Sequence, residues 1–361
     1  MKDPEAQAQL RAKDLSRLDD DFERYFGRED RAEEDNFGCT LTRTEQIGAW
    51  IQAHSEIPIQ SIILQGSQTR GTSLAWRWWE LDGAGDCHCI LLCDRDWLHC
   101  KGSAAVGELQ RVLRKWAASQ HLEDHEAGWE SVEVSEGRCG AVLLMKGASL
   151  GMPDEAADFV LAHSASGEDG GEPGSILVFD WILRRWRGNN PQQVRRIAEE
   201  TAARCPEFPM MVRILKQWNE WCPRLRKNSQ GEHKHPFTGL HFEMALCLQH
   251  EGYQDTQWAE MLCGRREVQH QIHKIDILIA AAEHVAATLN QPIATPGDDL
   301  PANEAMLADP SLVECTGQLL EEFLLVLHYV RRNPSVSGEF LKFAVRREPW
   351  TLNEARAASS E

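Results

Sequence analysis

The residues best suited to chemistry lie in two short stretches, Leu64-Gln65-Gly66-Ser67-Gln68-Thr69-Arg70-Gly71-Thr72-Ser73 and Gly85-Asp86-Cys87-His88-Cys89-Ile90. The first follows the apolar run Ser61-Ile62-Ile63-Leu64, which reads as a strand feeding a tight turn. A strand, a Gly-Ser turn, a short helical turn, Gly-Thr and then an acid on the next strand make a phosphate-handling layout. Gly66 lets the backbone come close to a polyphosphate. Ser67 offers its hydroxyl and backbone N–H at a helix start, where negative charge is favoured. Arg70 either touches phosphate or caps the turn. Carboxylates on the following strand, beginning with Asp86, would hold a divalent metal against the same phosphates. Within a strand, residues 86 and 88 share a face while Cys87 and Cys89 point to the other, so His88 stands next to Asp86 on the working side.

The elements that must position these groups follow from periodicity. Leu10, Leu15, Leu18, Phe22, Tyr25 and Phe26 recur at helical steps in an otherwise charged N-terminus. A second helix is expected over 42–54, opened by the capping pattern Thr42-Arg43-Thr44-Glu45. Strands are expected at 61–64, 86–92, 132–134, 141–145, 159–161 and 176–179, with a helix over 109–116 and an exposed Gly- and acid-rich loop over 167–174. From Asn190-Pro191 onward the pattern turns helical, over 191–204, 208–221, 239–250, 266–290 and 311–331. This predicts an α+β protein with a central mixed sheet and a helical lobe, the site lying in a cleft between them. The expected domains are a charged helical segment 1–40, a core 41–190, a helical lobe 191–335 and a tail 336–361.

Several ordered motifs carry a resemblance. Gly66-Ser67 with Gly71-Thr72, the acid position at Asp86, and Ala157-Asp158-Phe159-Val160-Leu161-Ala162 resemble the first, second and third parts of a DNA polymerase β-like nucleotidyltransferase site. Trp186 with Asn189-Asn190-Pro191, Val212-Arg213-Ile214-Leu215-Lys216-Gln217-Trp218-Asn219, and Leu240-His241-Phe242-Glu243 are similar to the later landmarks of the bacterial CD-NTases, relatives of cyclic GMP–AMP synthase and oligoadenylate synthetase. The resemblance covers roughly residues 40–330. It implies a two-lobed fold and metal-dependent, template-independent synthesis of a cyclic or short linear oligonucleotide messenger from nucleoside triphosphates, commonly in anti-phage defence. It further implies that Gly66 and Ser67 hold the triphosphate, that Asp86 and Asp158 bind Mg²⁺ or Mn²⁺, and that Lys216 contacts phosphate. Asp158 would also deprotonate the attacking ribose hydroxyl.

The family's second acid would stand two residues after Asp86, where this chain has His88. Magnesium prefers hard oxygen ligands, whereas imidazole ligates manganese and other transition metals. Two readings follow: a modified, working enzyme with His88 among the metal ligands, or a degenerate site that binds a nucleotide without polymerising it. A module that serves only as an interaction surface in a defence complex is a third. Plainer readings stand beside the other motifs. Cys87-His88-Cys89, Cys93 and His99-Cys100 lack a paired knuckle and read as buried strand thiols before they read as zinc ligands. The same holds for His233, His235 and His241 as a metal cluster, and for Trp76, Trp78 and Trp79 as the wall of a base pocket.

Composition bounds the rest. The chain has 361 residues, 42% apolar, with 56 acids against 38 bases and a formal charge of −18. That balance excludes gripping duplex DNA or an anionic membrane by bulk charge. No membrane span or signal peptide is evident, and eleven scattered cysteines suit reduced thiols in a cytoplasm. The stretch from Trp181 to His235 is nevertheless basic, at +7 against −25 for the remainder, so an acidic protein can still face a triphosphate with a positive wall. The expected partners are nucleoside triphosphates and a downstream effector or regulatory protein.

Overall fold

A computed structural model describes residues 4–26, 35–70, 72, 85–123, 129–147, 155–165, 173–181, 184–221, 239–247, 273–298 and 300–336. The chain divides into two compact units, one built on a sheet (33–196 with 295–299) and one helical (1–32, 197–294 and 300–361). The architecture is α+β, as the periodicity predicts.

In the first unit the helix α2 (Asp35–His54) leads into β1 (Ile59–Gln65), a one-turn 3-10 helix (Gln68–Arg70) and β2 (Gly85–Cys93). Helices α3 (Arg95–Lys101) and α4 (Ser103–Glu123) precede β3 (Trp129–Gly137), β4 (Gly140–Gly147), β5 (Glu155–Ser164), β6 (Ile176–Asp180) and β7 (Arg185–Asn189). The strands form one sheet in the order β1-β2-β5-β4-β3, with β6 paired to β5 and β7 to β6. Only β2 and β5 run parallel among these pairs. Their connection passes through α3, α4 and the β3–β4 hairpin, the long crossover that a parallel pair needs.

Alternation sorts the sheet into two faces. Cys89, Leu91, Cys93, Ala141, Leu143, Met145, Ala157, Phe159 and Leu161 pack with Ile47 and Ile51 of α2 and with Leu109, Val112, Leu113 and Trp116 of α4. The other face has a smaller apolar cluster, Ile90, Ala162, Ile176 and Val178, toward one end of the strands. Asp94 caps α3 by accepting a hydrogen bond from the Trp97 N–H at 2.8 Å.

Helix α2 starts at Asp35 rather than at the expected Thr42 cap. Thr44, Ile47, Gly48 and Ile51 are buried and Leu41 is half-buried, so one stripe runs through the would-be capping position and carries the helix past it. In the sheet unit two elements were not evident from the pattern. Strand β7, Arg185-Trp186-Arg187-Gly188-Asn189, is too charged to read as one and is held by its pairing with β6, while α3 is too short for its spacing to register.

The helical unit contains α1 (Pro4–Phe26), α6 (Phe208–Trp221), α7 (Gly239–Leu246), α8 (Lys274–Thr288), α9 (Glu304–Leu307) and α10 (Pro310–Arg332), and α5 (Pro191–Arg204) crosses the division. Leu18 and Phe22 bury the apolar stripe of α1. Asp19 joins α1 to the start of α8, accepting from the Lys274 N–H at 2.7 Å and meeting His273 Nδ1 at 2.8 Å. The segment expected to stand apart as 1–40 is thus divided, its first helix belonging to the helical unit. Leu312, Leu320, Phe323, Val326, Leu327 and Val330 form the buried face of α10, whose Pro310 occupies the first turn after the Asp309 cap. Residues 295–299 return to the sheet unit, where Asn190 N–H donates to the Pro296 carbonyl at 3.1 Å and Arg187 Nη2 to Asp298 Oδ2 at 2.7 Å. Among the described residues no helix is long and apolar enough to cross a membrane. Trp76, Trp78, Trp79, His233, His235, residues 167–172 and the tail from 337 lie outside the described residues.

Candidate functional site

Register brings the separate motifs to one row of the sheet. Gln65, the last residue of β1, pairs with His88 on β2, and His88 pairs with Asp158 on β5. Val142 on β4 completes the row. His88 and Asp158 therefore sit side by side on adjacent parallel strands, and their side chains meet, with Nδ1 3.4 Å from Oδ2. Both are partly open to solvent, at 35% and 33% exposure. They share the sheet face away from α2 and α4, because the alternate residues Cys87, Cys89, Ala157 and Phe159 enter the helix-covered core. Asp86 lies two residues upstream of His88, its backbone paired with Ala156.

Immediately after Gln65 the chain turns. Gly66 is buried with φ +123°, a conformation that a side chain would strain. The turn closes on itself: Thr72 N–H donates to the Ser67 carbonyl at 3.0 Å, Arg70 N–H to the same oxygen at 3.3 Å, and Thr69 Oγ1 to the Gly66 carbonyl at 2.9 Å. Thr72 is fully buried, whereas Ser67 and Arg70 are half-buried. Gly66, Ser67 and Arg70 are thus brought to the same end of β1 that abuts His88. Gln65 and Thr72 join the row and the turn although neither was singled out as a site residue. Thr72 was legible as part of Gly-Thr, but Gln65 carries no signal of its own.

Lys216 belongs to the helical unit. On α6 its Nζ lies 2.6 Å from Glu243 Oε1 of α7, both side chains buried. The two motifs that looked like separate landmarks, around Lys216 and around Glu243, are therefore two halves of one ion pair. His241, two residues before Glu243 on α7, is fully buried beside Phe242, and burial pushes its pKa down to about 3. His284 of α8 also has its pKa lowered by burial, and its Nε2 bonds the Ala245 carbonyl at 3.0 Å.

The strand thiols behave as core. Burial pushes the Cys89 thiol up and Cys93 to about 12, so both keep their protons at neutral pH. Among the described residues no disulfide is formed, and no group of three or more His, Cys, Asp or Glu side chains converges as metal ligands.

No protein-family model matches the sequence, and no curated protein matches it. Solved structures do match. The Bradyrhizobium diazoefficiens CD-NTase CdnG in complex with GTP aligns with a TM-score of 0.55 over 86% of this chain and 92% of its own, at 10% identity. This chain has the CD-NTase fold. The Vibrio cholerae DncV cyclic AMP-GMP synthase, a prokaryotic cGAS homolog, shares that CD-NTase fold at a TM-score of 0.51, 13% identity and 98% and 93% coverage. E. coli CdnC with ATP does so at 0.50, 13% identity and 90% and 91% coverage. Within that CD-NTase fold the row Gln65–His88–Asp158 lies across β1, β2 and β5.

Proposed function

We propose that the protein is a metal-dependent, template-independent nucleotidyltransferase that makes a cyclic or short linear oligonucleotide from nucleoside triphosphates, acting in bacterial anti-phage signalling through a downstream effector or regulatory protein. The observation that carries this reading is the row that sets a glycine-serine turn, His88 and Asp158 side by side. Structures of the same fold include a cyclic AMP-GMP synthase and proteins seen with GTP and ATP, which supports triphosphates as substrates.

Two adjacent side chains of the row, His88 and Asp158, suit a divalent cation. An imidazole nitrogen and a carboxylate oxygen 3.4 Å apart, both accessible, offer mixed N/O ligation, with Asp86 two residues away on the same strand. Such a set admits Mn²⁺ more readily than Mg²⁺, which favours oxygen alone. Bound there by Asp86, His88 and Asp158, the cation would supply charge neutralisation at the phosphates. The protein's own groups do the rest. Ser67 presents hydroxyl and N–H to the triphosphate, and Gly66 keeps the approach free of a Cβ. Thr72 and Thr69 hold the turn in shape before substrate arrives. Asp158 takes the proton of the attacking ribose hydroxyl while pyrophosphate leaves the α-phosphorus. Positioning and electrostatics account for most of the catalysis in such a transfer.

Labelled triphosphates with Mg²⁺ or Mn²⁺ test the reading. Product is expected in wild type and absent in Asp158→Ala. Nucleotide binding with no product under either metal would replace this reading with that of a nucleotide-binding pseudoenzyme of the same fold.

A further inference from the structure

The far end of β5 carries a second cluster that the proposed reaction does not use. His163 stands on the opposite face of the strand from Asp158, the face shared with Phe159 and Leu161. It meets His99, on the last turn of α3, with the two Nε2 atoms 3.1 Å apart. Trp186 of β7 fixes both rings: His99 stacks on the indole with centroids 4.4 Å apart and planes 11° apart, and His163 meets it edge-on at 4.8 Å. His163 Nδ1 lies 3.0 Å from the Ser164 carbonyl oxygen, so Nδ1 carries the hydrogen and donates it, and Nε2 presents its lone pair toward His99. His163 is 1% exposed, whereas His99 opens to solvent.

We propose that His99 and His163 form a two-histidine binding site for a divalent transition ion of the zinc, cobalt or nickel class. Two imidazoles bonded to one tetrahedral ion at about 2.0–2.1 Å have their nitrogens about 3.3 Å apart, close to the spacing found here. An Nδ1–H donated to a backbone carbonyl is the outer contact that fixes the tautomer of a ligating histidine and strengthens its free nitrogen. A pair of imidazoles without a carboxylate selects these ions over magnesium or calcium. In the ion-free pair His99 Nε2–H donates to His163. Ion binding moves that hydrogen to His99 Nδ1, so the ring stays neutral and no net proton is released. The exposed side of His99 is the entry path, and water completes the coordination.

The test uses the full chain, stripped with chelator, in a His88→Ala/Asp158→Ala background so that the nucleotide-site donors do not compete. Titration with Co²⁺ is expected to give a visible absorption band saturating at one equivalent and displaced by Zn²⁺. His99→Ala, on an exposed helix position, should weaken Co²⁺ binding by about tenfold or more. His163→Asn, which can keep the donor to Ser164, should do the same. Undiminished binding in His99→Ala, or no saturable Co²⁺ binding by the parent chain, would overturn the site and leave the pair as a histidine–histidine hydrogen bond. Because His88 and Asp158 are absent from the assay, either result is independent of whether the chain transfers nucleotides.

Discussion

Substituting His88 by aspartate restores a hard oxygen donor two residues after Asp86 while leaving the pairing of β2 with β1 and β5 untouched. If the imidazole stands in for a carboxylate, His88→Asp should form product with Mg²⁺ at or above the wild-type rate, and the advantage of Mn²⁺ over Mg²⁺ should shrink. Initial rates in the two metals check this; complete loss of activity would show that the imidazole does something a carboxylate cannot. His241 makes a different prediction. In the native state it stays neutral down to about pH 3, while in the unfolded chain it takes up a proton near 6.5. Its native-state contribution is therefore intact above pH 6.5 and is lost as pH falls toward 3, by at most about 1.4 kcal/mol per pH unit. Denaturant unfolding of wild type and His241→Asn across that window should show a shallower acid decline in the variant.

At the scale of elements, the segment 295–299 and β7 meet backbone to backbone. A Cβ on Gly188 would collide with the Gly297 carbonyl oxygen, and Gly297 itself holds φ +72° against Asn190. Gly188→Ala should cost about 1–3 kcal/mol, read as a lower denaturation midpoint with an unchanged slope. Neither partner announces this contact, since glycines at 188 and 297 are far apart in the chain and each reads as an ordinary loop or strand residue. The same distinction governs the site. The Gly66–Ser67 turn was legible because a tight turn after a strand is a local signal, whereas Asp158 was singled out only through the family resemblance. The pairing of His88 with Asp158 was not legible, because parallel pairing across a long crossover leaves no mark on either strand. Lys216 shows the cost of reading a motif alone: its helix was placed correctly, but its partner Glu243 sits on a different helix. The Thr42 cap failed for a related reason, as the buried stripe from Leu41 to Ile51 overrides a capping pattern that would act only at a free end.

For the whole molecule, the bulk charge and the proposed ligand pull in opposite directions. A formal −18 repels a long polyanion, whose binding depends on many phosphate contacts and counterion release. A triphosphate asks for a few donors and a cation, and under the proposed function the Gly66–Ser67 turn would offer the donors and the His88–Asp158 pair would hold the cation. The two cases separate in a thermal shift. A non-hydrolysable triphosphate with Mn²⁺, at one hundred times its dissociation constant, stabilises the state it binds by about 2.7 kcal/mol. For a cooperative transition of a chain this size, that corresponds to a rise in Tm of about 3–4 °C. Asp158→Asn should reduce the rise by weakening the cation's hold, while short duplex DNA at physiological salt should give none. A duplex that stabilised wild type as strongly as the triphosphate would mean that local positive surface, not the acidic balance of the chain, governs what this protein binds.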